Sequence, residues 1–162
     1  MPSPADSFTD VLDGPVYVVT AEAGGERSGC LVGFASQCSI HPPRFMVWLS
    51  ALNHTYGVAR RASHLAVHVL RRDQQDVAAL FGGETGDRVD KFEQVAWRRS
   101  TDGSPVLNEA CAWFVGRIER TVRGGDHLGF LLTPTEQSPP VEGDPALLSY
   151  RDVKDLEPGH PA

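Results

Sequence analysis

The sequence predicts a mainly β protein, a closed or partly closed barrel of short strands carrying short helical insertions. Three observations lead there. Six or seven short runs rich in β-branched and aromatic residues recur from Val16 to Tyr150, which is the spacing of barrel strands. Glycine-rich turn signals separate several of them, as at Gly24-Gly25 and Arg123-Gly124-Gly125-Asp126. The strands do not alternate regularly with long helices, and no G-x-G-x-x-G follows a strand, which removes a doubly wound parallel sheet.

Taken in order, residues 1–14 are polar and turn-rich, an N-terminal arm. Val16 to Thr20 is a β-branched strand, and Glu22 to Glu26 forms its turn. Ser28 to Ser39 reads as the returning strand, with Gly29 and Gly33 as close-approach points. Pro42 and Pro43 lack the amide donor and must interrupt pairing, after which Arg44 to Leu49 is a short buried strand. Thr55 to Ala62 predicts a short helix and His64 to Leu70 a strand. Asp73 is placed to cap a helix whose apolar face carries Val77, Leu80 and Phe81, with Gly82-Gly83 ending it. Asp87 could open another short helix bearing Val89 and Phe92. Val95 to Arg98 is a strand and Thr101-Asp102-Gly103 a turn. Cys111 to Val122 alternates with period two, placing Cys111, Trp113 and Val115 on one face and Ala112, Phe114 and Ile118 on the other. His127 to Thr133 returns from a hairpin. Pro134 to Pro145 is expected to be a loop, Ala146 to Tyr150 a last strand, and Asp152 to Ala162 a frayed tail. The domain therefore runs from 15 to 151, between the arm and a tail of 152–162.

A chain of 162 residues with 41% hydrophobic content can bury a core as one domain. The net charge of −6 argues against general nucleic-acid binding, which needs a basic surface. No apolar run reaches the ~18 residues of a membrane helix, and the first ten residues lack the basic and apolar regions of a signal peptide. Cys30, Cys38 and Cys111 lack metal-type spacing and read as buried cytoplasmic thiols. Trp48, Trp97, Trp113, Phe45 and Phe114 read as core.

Chemistry could sit at three places. Ser50, Asn53, His54 and Thr55 gather donors where a helix begins, which suits an anion or serves only as a cap. Small residues from Leu31 to Ser39, with Gln37 and Ser39 as hydrogen-bond sources, would let a flat heteroaromatic ring lie close to the backbone, or merely ease strand packing. His127 follows a hairpin turn at a barrel mouth, where Asp126 could orient or charge it. His64 and His68 are four residues apart, about 13 Å in a strand, too far to share one metal ion. No G-x-S-x-G elbow supports a serine hydrolase.

The ordered set V-Y-V-V-T, S-G-C-L-V-G-F-A-S-Q-C-S-I-H-P-P, L-S-A-L-N-H-T-Y, L-F-G-G-E-T-G-D-R-V-D-K-F, G-G-D-H-L-G-F and L-L-S-Y-R resembles the flavin reductase-like, FMN-binding split-barrel family over Val16 to Arg151. The resemblance implies a homodimer of Greek-key split barrels with flavin near the subunit interface. It also implies NADH- or NADPH-dependent reduction of FMN or FAD, often for a partner flavin-dependent monooxygenase. By position, Leu31, Val32, Gly33 and Phe34 would line the isoalloxazine, and Gln37, Cys38 and Ser39 would reach its polar edge. Ser50, Asn53, His54 and Thr55 would hold the phosphate. Phe81, Lys91 and Phe92 fall where the family contacts the distal part of the flavin. His127, the catalytic-site candidate, would lie near the nicotinamide, and Tyr150 and Arg151 would close the site. This chain has Leu31-Val32-Gly33 where many members have Thr-Ala-Ser, and Ala51 where many have a lysine nearby. That apolar lining leaves open a deazaflavin. A flavin-binding protein without turnover, or an oxidoreductase using a tightly held flavin on another substrate, also remains open.

Overall fold

The computed structural model describes residues 8–83 and 90–155. Its centre is a seven-stranded antiparallel sheet, ordered β2-β1-β5-β8-β9-β4-β3. The strands are β1 (Tyr17–Ala23), β2 (Glu26–Val32), β3 (Ala35–Ser39), β4 (Arg44–Ser50), β5 (His64–Val69), β8 (Ala112–Arg123) and β9 (His127–Gln137), with β6 (Trp97–Arg99) and β7 (Pro105–Leu107) forming a separate hairpin. Short helices accompany them, among them α1 (His54–Ala59), α2 (Gln75–Gly83) and α3 (Tyr150–Val153), with a 3₁₀ turn at Lys91–Glu93.

The β1–β2 hairpin closes through Gly24 and Gly25 at φ 58° and 81°. Two consecutive positive φ values are what a twist-matched two-residue turn requires, and glycine adopts them without steric cost. The expected long strand from Ser28 to Ser39 is instead two. Pairing with β1 ends at Val32 opposite Tyr17. After Gly33 the Phe34 carbonyl accepts from the Trp48 amide at 2.9 Å, and β3 pairs with β4. One continuous run thus supplies both edges of the sheet, because the hydrogen-bonding partner changes at Gly33-Phe34.

Alternation on β1 separates two cores. Val19 and Ala21 face the barrel interior with Cys30, Val47, Leu65, Phe130 and Leu132, and α1 plugs this side with Val58 and Ala59. Val16 and Val18 face the other way, towards Phe81, Phe92, Leu107, Leu148 and Val153, a layer built by α2, the 3₁₀ turn and α3. The two faces expected for β8 appear in the same manner, with Phe114 and Ile118 against the interior and Trp113 beside Val115 in a small third cluster. Phe45 meets Tyr17 and Phe114 edge-on at 5.6 and 5.2 Å.

His68 of β5 joins three strands. It is fully buried, its Nδ1 donates to the Val18 carbonyl at 2.8 Å, and its Nε2 accepts from the Leu107 amide at 3.1 Å. The partners fix these roles, since a carbonyl only accepts and an amide only donates. Burial pushes its pKa down to about 4.

Several expectations are corrected. β7 was not foreseen; it is three residues long and begins with proline, yet it is fully buried. α2 runs through Gly82 and Gly83 instead of stopping before them. Asp73 lies outside α2 and faces Arg71 at 3.9 Å, while the buried Gln74 precedes the helix. β9 continues to Gln137, past the expected loop start; Pro134 is tolerated where the β8–β9 register shifts beside Val115 and Gly116. Ala146 to Tyr150 makes only two isolated bridges, Leu147 to Arg71 and Ser149 to Pro15. There Ser149 and Asp152 form a capping box that opens α3. Cys30 is buried, but Cys38 is exposed on β3 and Cys111 is half-buried. The helix expected from Asp87 begins outside the described residues.

Candidate flavin cleft

Leu31, Val32, Gly33 and Phe34, at the break between β2 and β3, form one side of a cleft of about 360 Å³. Ser50, Asn53 and His127 also line it, as does Tyr150 of α3. The size is that of a small-molecule site. The β4–β9 pairing sets Ser50 opposite His127, and the Ala51 amide donates to the Asp126 carbonyl at 3.0 Å. His127 Nδ1 lies 2.7 Å from Asp126 Oδ1. A carboxylate only accepts, so Nδ1 carries the proton and Nε2 is the nitrogen left for a ligand. The His127 ring lies 5.0 Å from that of Phe34, which is 61% exposed.

Gly33 is open at this point. A Cβ built there would meet only the Tyr150 ring, at 3.9 Å, so the backbone is accessible to a flat group. Gly29, the other expected close approach, is a packing position; its Cβ would fall 2.7 Å from the Phe81 ring.

The four-residue anion socket divides. Ser50 and Asn53 reach the cleft, but Asn53 Oδ1 also accepts from the Thr55 amide at 2.9 Å as the cap of α1. Thr55 is buried, its hydroxyl 2.7 Å from that of Ser28. His54 Nε2 lies 3.0 Å from Glu26, which also pairs with Arg61 at 2.6 Å. His54 and Thr55 therefore serve the fold around α1.

Other candidates lie away from the cleft. Gln37, Cys38 and Ser39 sit on β3, where Gln37 Nε2 donates to the Ser39 carbonyl at 3.2 Å. Phe81 and Phe92 pack edge-on at 5.8 Å within the second core. Lys91 is 5% exposed, and its ammonium donates to the Gly29 carbonyl at 3.1 Å and the Phe81 carbonyl at 3.0 Å. It pins the end of α2 to β2, a favourable place for a cation because helix-terminal carbonyls lack intrahelical partners. Arg151 turns to the N-terminal arm, its amide donating to Asp13 at 3.0 Å and its guanidinium to the Val11 carbonyl at 3.1 Å. The first of these bonds is the main reason the Asp13 pKa is lowered.

The cleft also contains residues that sequence reasoning missed: Val16, Cys30, Leu49, Gly82, Val153 and Lys154. Burial pushes the Cys30 thiol up to about 11, so it is an apolar wall and not a nucleophile. Tyr150, Val153 and Lys154 have the i, i+3, i+4 spacing of one helix face. The Ser149-x-x-Asp152 box ahead of them was the available signal.

An apolar floor, an open glycine backbone, two small polar side chains and one lysine fit a flat, anionic ligand. With its curled sheet divided at Gly33-Phe34, the molecule is a split barrel. The model of the flavin reductase like domain matches residues 10–156, and the chain belongs to that family. It is 28% identical over 122 residues to the reductase component of the flavin-dependent trigonelline monooxygenase of Acinetobacter baylyi, covering 75% of this chain and 38% of that one. Against the 4-hydroxyphenylacetate 3-monooxygenase reductase component of Salmonella typhimurium it is 32% identical over 124 residues, covering 75% and 72%. The NADH:FAD oxidoreductase of Streptomyces globisporus superposes with a TM-score of 0.80 at 24% identity, covering 91% of each chain. The chain spans between 38% and 64% of the length of several such curated relatives. No helix among the described residues is long and apolar enough to cross a membrane.

Proposed function

We propose that the protein is an NAD(P)H-dependent flavin reductase acting on FMN or FAD. The observation that carries this reading is the cleft at the β2–β3 break, where the Gly33 backbone, the Ser50 hydroxyl, the Asn53 side chain and His127 meet beside Tyr150. Its place in the flavin reductase family supports the reading, and so do relatives named as reductase components of monooxygenases. A monooxygenase that consumes reduced flavin is accordingly the proposed partner.

When bound, nicotinamide and flavin supply hydride transfer between their rings. The chain supplies the surface that brings them together. Leu31, Val32 and Phe34 offer apolar contact that excludes water, and the glycine between them lets a ring approach the backbone. Asp126 holds the His127 ring, leaving Nε2 to contact a nicotinamide. Phe34 lies against His127, so a ring entering between them displaces it.

A homodimer is part of the same proposal. Met46 and Trp48 lie over Gly129, on the face of β4 and β9 opposite the core. Leu131, paired with Met46, shares that face, and Val122 opposite Gly129 is exposed. This apolar strip continues through the Ser50–His127 pair to the cleft, and a second copy would bury it beside the flavin.

The test is a flavin titration by fluorescence quenching, followed by NADH or NADPH with absorbance read at the nicotinamide band. Saturable quenching with coenzyme oxidation supports the proposal and reports the coenzyme preference. Quenching without oxidation leaves a flavin-binding protein, and no quenching overturns the reading. Light scattering on the purified protein checks the dimer.

A further inference from the structure

We propose that Lys154 is the phosphate-pairing cation of the cleft, an inference that rests on the flavin reductase reading. Lys154 follows the last residue of α3 and is exposed. Among the described residues lining the cleft it carries the one permanent positive charge. No described residue forms a salt bridge or side-chain hydrogen bond with it. Three other positive groups are committed elsewhere. The Lys91 ammonium bonds to the Gly29 and Phe81 carbonyls. Arg151 turns to Val11, and Arg61 to Glu26.

The α1 end cannot supply the charge. His54 there faces the Glu26 carboxylate, the Thr55 hydroxyl is spent on Ser28, and α1 has only six residues. Ser50 and Asn53 contribute neutral donors to the cleft. The protein as a whole carries a net charge of −6, so an anion approaching it meets repulsion unless a local cation offsets it. A lysine at the cleft wall with no described partner is that cation. Its ammonium acts as a point charge towards phosphate. The capping box of Ser149 and Asp152 fixes where it sits by turning the chain into α3, which brings Tyr150, Val153 and Lys154 to the cleft together.

The phosphate could belong to the flavin or to the nicotinamide coenzyme, and the experiment separates the two. Dissociation constants for FMN and riboflavin are measured by fluorescence quenching on the wild type, Lys154→Gln and Lys154→Arg. The Michaelis constant for NADH is then measured with riboflavin as acceptor. A flavin-phosphate role predicts that Lys154→Gln weakens FMN about two- to five-fold, the range of an exposed ion pair. Riboflavin binding stays unchanged, Lys154→Arg restores FMN affinity, and the difference fades at high salt. If the FMN-to-riboflavin ratio holds but the constant for NADH rises by a similar factor, the partner is the coenzyme phosphate. If neither moves while the wild type binds both flavins, the Lys154 assignment is overturned and the reductase reading stands. A wild type that quenches neither flavin removes the reductase reading and this assignment with it.

Discussion

On β5, His68 has both ring nitrogens taken by backbone groups of β1 and β7, whereas His127, at the start of β9, has one nitrogen on the exposed Asp126 carboxylate and its ring against Phe34. Neither difference follows from the residue type. His68 is buried with no charged partner bonded to it, so it is held neutral and its bonds lock three strands in register. His127 is half-buried at a cleft wall with a nitrogen to spare. The same imidazole is a structural pin where two backbone groups need a bridging partner, and keeps one nitrogen open to a cleft where a carboxylate holds only one side of it. The two glycines of the β2 region divide in the same way: Gly29 is filled against by Phe81, and Gly33 opens on the cleft.

Breaking the pin should have the largest effect. His68→Leu leaves the Val18 carbonyl and the Leu107 amide buried without their partner, and should cost about 2–4 kcal/mol in denaturant unfolding. Acid should produce a loss of similar size in the wild type. The His68 pKa is about 4 in the folded chain against 6.5 for a free histidine, so the unfolded chain takes up the proton first. The contribution of His68 is full above pH 6.5, declines as pH falls, and is gone below about 4. At ~1.4 kcal/mol per unit this is on the order of 3 kcal/mol. Unfolding free energies across that window should slope less steeply in His68→Leu. Equal slopes would mean His68 is not the responsible group.

Gly29→Ala should come next, at about 1–3 kcal/mol, since Phe81 and Thr20 must both shift. Gly33→Ala should change stability by less than about 0.5 kcal/mol and weaken flavin binding more than folding. His127→Ala should leave the unfolding curve nearly unmoved while raising the Michaelis constant for the nicotinamide coenzyme more than the flavin dissociation constant. Equal loss of both would place His127 at the flavin instead.

The β runs announced themselves wherever β-branched residues were continuous, as in Val16 to Thr20, and the hairpin glycines marked two of the turns. What escaped notice was set by pairing between distant segments. Pro105 to Leu107 is a strand because β6 meets it and because Thr20 donates to the Pro105 carbonyl, neither of which three residues can signal. The division at Gly33-Phe34 depends on β4 offering the Trp48 amide. Leu31 to Phe34, Ser50, Asn53, His127 and Tyr150, which line the cleft, were named from a family pattern read in order. Lys91 and Phe92, named from the same pattern, lie at a helix end and in a core. Lys154 escaped because it falls in the segment that reads as a frayed tail, past the expected last strand, whereas the chain turns there into α3.

Edge strand β3 has only five residues and exposes Ser36, Gln37 and Cys38, and the chain meets Pro42 and Pro43 shortly after it. A stray strand docking alongside would find a short, polar ladder that ends at two residues without amide donors. Fibrillar growth through this edge is therefore poorly supported. Association between copies should run instead through Met46 and Trp48 on the outer face, the strip proposed to be buried in the dimer, and so close on itself without extending the sheet.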